Sequence, residues 1–127
     1  MGSTELVSEK IEAGSSLLRQ LDREGIRVGS AFWLYDRDAD DWRLILSMPL
    51  VDERGQHAAY NRLAHALQAA GIRTLYLRDI AAVGPGDKVV GLLRNTIKTG
   101  SEVGAVRLAA SAIDHPLIEK TYVYRST

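Results

Sequence analysis

The densest group of side chains able to do chemistry is the acidic run Asp36-Arg37-Asp38-Ala39-Asp40-Asp41. Its carboxylates alternate as they do at the start of a calcium-binding EF-hand loop, which also needs glycine at its sixth position and a carboxylate at its twelfth. Those two positions hold Asp41 and Ser47 instead. Because the flanking residues alternate as in strands, the run predicts a solvated hairpin turn and no metal site.

A second candidate is the segment Gly84-Pro85-Gly86-Asp87-Lys88, which stands between a strand-like and a helix-like stretch. Phosphate-binding loops occur at such positions because the N–H groups of a helix N-terminus converge there. The segment lacks the Gly-x-x-x-x-Gly-Lys-Ser/Thr spacing of a Walker loop. We therefore expect a tight loop before a helix. An enzyme that binds a small ligand or a phosphate at Gly84–Lys88 stays an alternative.

The third candidate is a polar stripe on a predicted helix. His57, Asn61, His65 and Gln68 project from one side of that helix. The two histidines are about two turns, or 12 Å, apart, which is too far for them to share a metal ion. Charged side chains usually build a solvated helix face, whereas this stripe carries neutral hydrogen-bonding groups. It predicts either a plain polar surface or a secondary contact site.

Several chemistries have no motif in this sequence. No His-Glu-x-x-His metal motif and no Gly-x-Ser-x-Gly nucleophile elbow occur, and the chain has no cysteine. The lack of cysteine excludes disulfides, thiolate nucleophiles and cysteine-ligated zinc or iron–sulfur centres. We expect no catalytic residue, no metal and no cofactor, and we lean towards a protein that is not an enzyme.

Length and composition fit one globular domain over residues 1–127. Apolar residues make up 46% of the 127, and 16 basic residues balance 16 acidic ones, for a net charge of zero. That balance weakens any case for non-specific nucleic-acid binding. No stretch approaches the roughly 20 apolar residues of a membrane span, and residues 1–6 lack the pattern of a secretory signal. We expect a cytoplasmic protein that does not contact membranes.

Hydrophobic periodicity gives the order α-β-β-α-β-α-β-β and the α+β class. The predicted helices span residues 4–24, 55–70 and 87–99, and the predicted strands span residues 28–36, 42–48, 72–78, 104–112 and 117–125. Gly14-Ser15-Ser16 weakens the middle of the first helix. A crossover should make the second and third strands parallel. We expect a mixed sheet of about five strands with helices mainly on one face.

Strand alternation then assigns a face to each side chain. If Ala39 is the centre of the first turn, Leu34 faces Leu44 and Phe32 faces Leu46, which collects the aliphatic side chains. Val106, Leu108, Tyr122 and Tyr124 are expected in the core. The opposite sheet face should then carry Trp33, Tyr35, Arg43, Ile45, Tyr76, Arg78, Arg107, Val123 and Arg125.

This opposite face supplies the predicted partner-binding residues, because Tyr, Trp and Arg are enriched in interface cores. They are Trp33, Tyr35, Arg43, Tyr76, Arg78 and Arg107. One interpretation is that the first helix covers this face. A second is a contact with another copy or with a protein partner, and a third is single-stranded nucleic acid stacked on the aromatic rings. We expect a small soluble interaction module that self-associates, since zero net charge and a missing RNP motif disfavour nucleic acid.

Overall fold

A computed structural model describes residues 8–36, 38–91, 106–108 and 121–125, and for residues 106–108 it describes the backbone alone. The helices are α1 (Ser8–Arg23), α2 (Pro49–Arg54) and α3 (Gln56–Ala69). The strands are β1 (Ala31–Asp36), β2 (Asp41–Ser47), β3 (Ile80–Val83), β4 (Val106–Leu108) and β5 (Thr121–Arg125). A 3₁₀ turn, Leu77–Asp79, precedes β3, and residues 88–91 are helical.

The strands form one mixed sheet in the order β3-β2-β1-β5-β4. β1 is antiparallel to β2 and to β5, and β4 is antiparallel to β5. β2 and β3 are parallel, because the chain crosses over through α2 and α3 between them. The predicted α+β class, the mixed sheet and the parallel crossover are confirmed.

The main core lies between α1, α3 and one face of the sheet. Leu17, Leu18 and Leu21 of α1 are fully buried there, together with Leu63 of α3. The predicted helix at 4–24 is confirmed over Ser8–Arg23. Gly25, with φ +73°, follows α1 in the left-handed conformation that a helix C-cap favours.

The predicted register of the first hairpin is wrong by one residue. Trp33 pairs with Leu44, and Leu34 pairs with Arg43. The loop between β1 and β2 therefore has an even number of residues, closed by Asp40 in the left-handed region at φ +51°. Trp33 and Tyr35 consequently share the core face with Leu44, while Phe32 and Leu34 take the opposite face with Ile45 and Arg43.

A hydrogen-bonded chain explains why Trp33 belongs in the core. Its indole Nε1–H donates to Tyr124 Oη at 2.8 Å, and that hydroxyl donates to the carbonyl of Ile11 in α1. Both rings are almost fully buried, and each finds a partner for its polar atom, as buried Trp and Tyr require. The expectation that Tyr124 lies in the core is confirmed.

Tyr124 also makes stability depend on pH. Burial raises the pKa of its phenol well above the usual value of 10. The unfolded chain therefore loses this proton near pH 10 while the native state keeps it, so stability is fully present below pH 10 and falls above it. We expect a loss of up to about 1.4 kcal/mol per pH unit. Urea denaturation at increasing pH measures the slope, and an equal slope in Tyr124→Phe would contradict this assignment.

The third strand lies at Ile80–Val83, not at the predicted 72–78. Residues 72–76 are loop, and the 3₁₀ turn follows them. The turn forms because the Asp79 carboxylate accepts a hydrogen bond from the backbone N–H of Tyr76 at 3.0 Å, which ends any extended run there. Leu75 is buried as expected, but Leu77 is exposed.

The second face of the sheet also carries an apolar cluster. Phe32, Ile45 and Val123 are buried there against Val90, which belongs to the helical residues 88–91. Asp87 begins that helix as predicted, since its carboxylate accepts from the N–H groups of Val89 and Val90. The remainder of the predicted helix, residues 92–99, lies outside the described residues.

The prediction that Tyr122 and Tyr124 face the core while Val123 takes the opposite face is confirmed, but the predicted pairing of the last two strands is wrong. Val106 pairs with Val123, not with a core tyrosine, so β4 is shifted by one residue relative to the expectation. Val123 packs in the second cluster, and Arg125, expected on the outer face, is buried. Arg125 is tolerated there because it is paired with Asp22 at 2.7 Å. The predicted turn at 114–116 lies outside the described residues.

Candidate functional site

Two of the six predicted partner-binding residues lie in the core. Trp33 is fully buried, and Tyr35 is buried with its ring edge-on to Trp42, 5.6 Å between centroids. The prediction that Trp33 and Tyr35 lie on an outward face with Arg43 is wrong, because the hairpin register turns both rings towards the helices. The backbone of Arg107 in β4 pairs with that of Tyr122 in β5, and the structure does not describe the Arg107 side chain.

The other three predicted residues, Arg43, Tyr76 and Arg78, come together at the surface. The Arg78 guanidinium lies 4.8 Å from the centroid of the Tyr76 ring, which is a cation–π contact. Arg43 Nη1 donates to the carbonyl of Arg78 at 3.3 Å. Together with Leu77 they form what we call the Arg78 patch: Arg43, Tyr76, Leu77 and Arg78.

The Arg78 patch contains the exposed large apolar side chains of the described residues. Tyr76 is 54% exposed and Leu77 is 36% exposed, and among the described residues they are the large apolar side chains left in solvent. Tyr and Arg are enriched in interface hot spots, so the exposed Tyr76 beside Arg78 makes this surface a candidate contact site. Sequence reasoning missed Leu77 because it assumed strand alternation at 72–78.

Asp79 holds the Arg78 patch in place. This residue is 7% exposed, and its Oδ2 accepts from the Tyr76 N–H at 3.0 Å while its own N–H donates to the Tyr76 carbonyl at 2.9 Å. Lys10 Nζ of α1 lies 3.9 Å from the other carboxylate oxygen. These contacts fix the conformation of the 3₁₀ turn in the protein without a partner. An Asp three residues after Tyr76 was the available sequence signal.

Acidic side chains border the Arg78 patch. A pocket of about 200 Å³ lies between the hairpin turn and the patch, lined by Ala39, Asp41, Trp42, Arg43, Arg78 and Asp79. Arg43 Nε lies 3.5 Å from Asp36 Oδ2, and Tyr35 donates to the Asp40 carboxylate. We call the carboxylates of this hairpin turn the acidic turn: Asp38, Asp40 and Asp41 are exposed, and Asp36 is half-buried. It is the solvated hairpin turn that the acidic run predicts.

The polar stripe of α3 lies in solvent. His57, Asn61, His65 and Gln68 are all exposed. His65 Nδ1 is 3.7 Å from Glu24 Oε1, which links α3 to the end of α1. The stripe forms no enclosed site, and its role as a secondary contact site stays a prediction.

The segment Gly84–Lys88 lies between β3 and a helix, as predicted, but the carboxylates of Asp52 and Asp87 lie against it. Asp87 already accepts from the N–H groups of Val89 and Val90, which a bound phosphate would need. A Cβ on Gly84 would lie 2.5 Å from Asp52 Oδ1, so a second carboxylate contacts the loop. This arrangement repels anions and argues against the phosphate-binding alternative.

Neither a grouping of metal ligands among the described residues nor a related protein points to a function. Within the residues that the structure describes, no three His, Asp or Glu side chains are grouped to hold a metal ion. None of the helices in that part of the chain has the length and apolar character to cross a bilayer. Comparison with protein-family models, curated proteins and solved structures finds no match. The Arg78 patch therefore remains the candidate site among the described residues.

Proposed function

We propose that this protein is an interaction module that self-associates, two copies meeting through the Arg78 patch and the acidic turn. The observation that carries the proposal is the pairing of exposed Tyr76 and Leu77 with the stacked Arg78 guanidinium. Interface hot spots are enriched in Tyr and Arg, surrounded by a polar rim. Asp79 holds the turn rigid, so little conformational entropy is lost on binding.

Charge complementarity favours a second copy as the partner. In the described part of the chain, neither Asp38 nor Arg78 has an ion pair, and the Arg78 guanidinium lies over the Tyr76 ring. Arg78 lines the pocket between the patch and the hairpin turn, and Ala39, the next residue after Asp38, lines the same pocket. A two-fold axis through such a surface places Arg78 of each copy against the acidic turn of the other. Every contact then forms twice.

The edge of β3 is a poor alternative interface, because α3 closes it. The Tyr60 hydroxyl donates to the Ile80 carbonyl at 3.3 Å and accepts from the Ala82 N–H at 3.1 Å. Gln56 Nε2 donates to the Ala82 carbonyl at 3.4 Å. A strand from another chain would have to displace these side chains, so association by strand addition at β3 is disfavoured.

Single-stranded nucleic acid is also a poorer partner for this surface. A base could stack on Tyr76, and Arg78 could contact a phosphate. The acidic turn, however, places exposed carboxylates beside the same pocket. Those charges repel a phosphate backbone, and the net charge of zero supplies no compensating attraction.

Sedimentation equilibrium of the full chain tests the proposal. We expect the wild-type protein to be a dimer at about 0.1–1 mM, and Arg78→Glu to weaken association by at least about tenfold because it places like charges together. Tyr76→Ala should weaken it as well. Arg54→Glu is the matched control, because Arg54 ends α2 beyond the carboxyl end of β2, at the other end of the sheet.

Two outcomes would overturn the proposal. One is a monomeric wild-type mass at the highest concentration. The other is equal weakening by Arg78→Glu and Arg54→Glu, which would reflect total charge and not the Arg78 patch. Fluorescence anisotropy with a labelled oligothymidine in low salt tests the alternative: tight binding that Arg78→Glu abolishes would assign the patch to nucleic acid.

A further inference from the structure

A groove lies at the end of the sheet opposite the Arg78 patch. Its larger part, a cavity of about 510 Å³, is lined by Asp22, residues 25–29, Pro49 and Arg125. A smaller cavity of about 250 Å³ shares residues 25–27 and Pro49 with it, and adds Glu24, Leu50, Glu53 and Arg62. We call the two cavities together the Arg125 groove. The volume of the larger cavity lies within the range of small-molecule sites.

A buried arginine forms part of the groove wall. Arg125 is 4% exposed. Its Nη2 donates to Asp22 Oδ2 at 2.7 Å, and its Nη1 donates to Asp22 Oδ1 at 3.3 Å and to the Val28 carbonyl at 3.0 Å. The remaining guanidinium nitrogen, Nε, is buried without a partner among the described residues. An unsatisfied donor on a buried cation is costly, which makes this position unusual for a purely structural one.

The partner of Arg125 is itself a carboxylate at the groove surface. The Asp22 side chain is 44% exposed, whereas the Arg125 side chain is 5% exposed. Asp22 can therefore leave Arg125 and regain water, but Arg125 cannot. The paired oxygens at 2.7 and 3.3 Å show that a carboxylate fits the fork of this guanidinium.

A second arginine is available in the same groove. Arg27 is exposed and lines both cavities, and no ion pair engages it within the described part of the chain. The larger cavity thus has two arginines and one carboxylate, a net positive lining. Ile26, Val28 and Pro49 supply apolar walls beside these charges.

From these contacts we infer that the Arg125 groove binds a small organic carboxylate. The carboxylate of the ligand pairs with Arg27 and replaces Asp22 on Arg125, while the apolar part of the ligand contacts Ile26, Val28 and Pro49. Asp22 occupies the position of the ligand carboxylate when the groove is empty. Removing its charge should therefore strengthen binding, a direction that a merely structural ion pair does not give.

Benzoate is a suitable probe because it joins one carboxylate to a flat apolar ring. Titration of the ¹⁵N-labelled full chain at constant ionic strength should shift amide signals of residues 25–29 with millimolar affinity. We expect Asp22→Asn to lower the dissociation constant by at least about fivefold, and Arg27→Gln to raise it by at least about threefold. Arg54→Gln, outside the groove, should leave it unchanged.

Three results would contradict the inference. The first is no saturable shift at residues 25–29 in the wild type at about 50 mM benzoate. The second is equal affinity in Arg27→Gln and Arg54→Gln, which remains informative if Asp22→Asn fails to fold. The third is competition by inorganic phosphate at the affinity of benzoate, which would mark a general anion site. Benzyl alcohol, which has the ring without the charge, should not bind.

Discussion

Replacing Trp33 with alanine should lower the free energy of unfolding by about 3–5 kcal/mol. The side chain is fully buried in the main core, so truncation leaves a large cavity. It also leaves the Tyr124 hydroxyl without the indole donor that it accepts from at 2.8 Å. Urea denaturation followed by circular dichroism measures the change.

Trp33→Phe is the matched variant for this prediction. It keeps an aromatic ring in the core and removes the indole N–H, so we expect a smaller loss of about 1–3 kcal/mol. The predicted placement on an outward face gives a different result, because exposed substitutions change stability by about 0.5 kcal/mol or less. A loss that small for Trp33→Ala would contradict the observed register and support the predicted one, in which Leu34 faces Leu44.

Gly14→Ala should also destabilise the protein, although alanine is the better helix former by about 1 kcal/mol. A Cβ at this position would lie 2.4 Å from Tyr124 Oη and 2.9 Å from its Cζ. Hydrogen bonds to Trp33 and Ile11 fix that hydroxyl, so it cannot move aside cheaply. We expect the steric cost to exceed the helix gain and to lower the free energy of unfolding by about 1–3 kcal/mol.

Ser16→Ala controls for helix propensity in the same turn of α1. Ser16 is exposed, so alanine there should be neutral or stabilising by a few tenths of a kcal/mol. A double-mutant cycle with Tyr124→Phe isolates the contact, because that change removes the closest atom. The cost of Gly14→Ala should fall by about 1 kcal/mol in that background. If both alanine variants are equally stabilising, α1 does not contact Tyr124 in this way.

Periodicity predicted the elements better than it predicted their faces. The helices at 4–24 and 55–70 and the first hairpin could be recognised because their apolar positions repeat over many residues. The face of each strand depends on one residue of loop length, and the pairing of Asp36 with Asp41 makes that length even and not odd. The observed register lets Trp33 donate to Tyr124, which is 91 residues away in sequence. No local pattern carries that contact.

The candidate site was half predictable for the same reason. Arg43, Tyr76 and Arg78 were expected to lie together, and they do. They meet through a 3₁₀ turn and not through a shared strand face, because Asp79 caps the turn. A side-chain hydrogen bond to the backbone can replace a strand by a turn within four residues. Hydrophobic periodicity needs a longer stretch of sequence and does not detect so local a change.

Gly14 shows how tertiary contact changes the meaning of a residue. From the sequence it is a weak point in the first helix, since glycine lowers helix propensity. In the structure it lies where α1 approaches the sheet, and the absence of a side chain makes room for the Tyr124 ring. The glycine that weakens the helix is therefore what lets α1 pack closely over β5.

Mixing two charge-reversed variants tests the central claim, that the Arg78 patch of one copy meets the acidic turn of another. Alone, Arg78→Glu and Asp38→Arg should each be monomeric, because each homodimer would hold like charges together twice. A one-to-one mixture should form a heterodimer of both chains, since both ion pairs then become complementary again. Sedimentation velocity of the mixture measures this directly, and a mixture that stays monomeric while the wild type dimerises would contradict the claim.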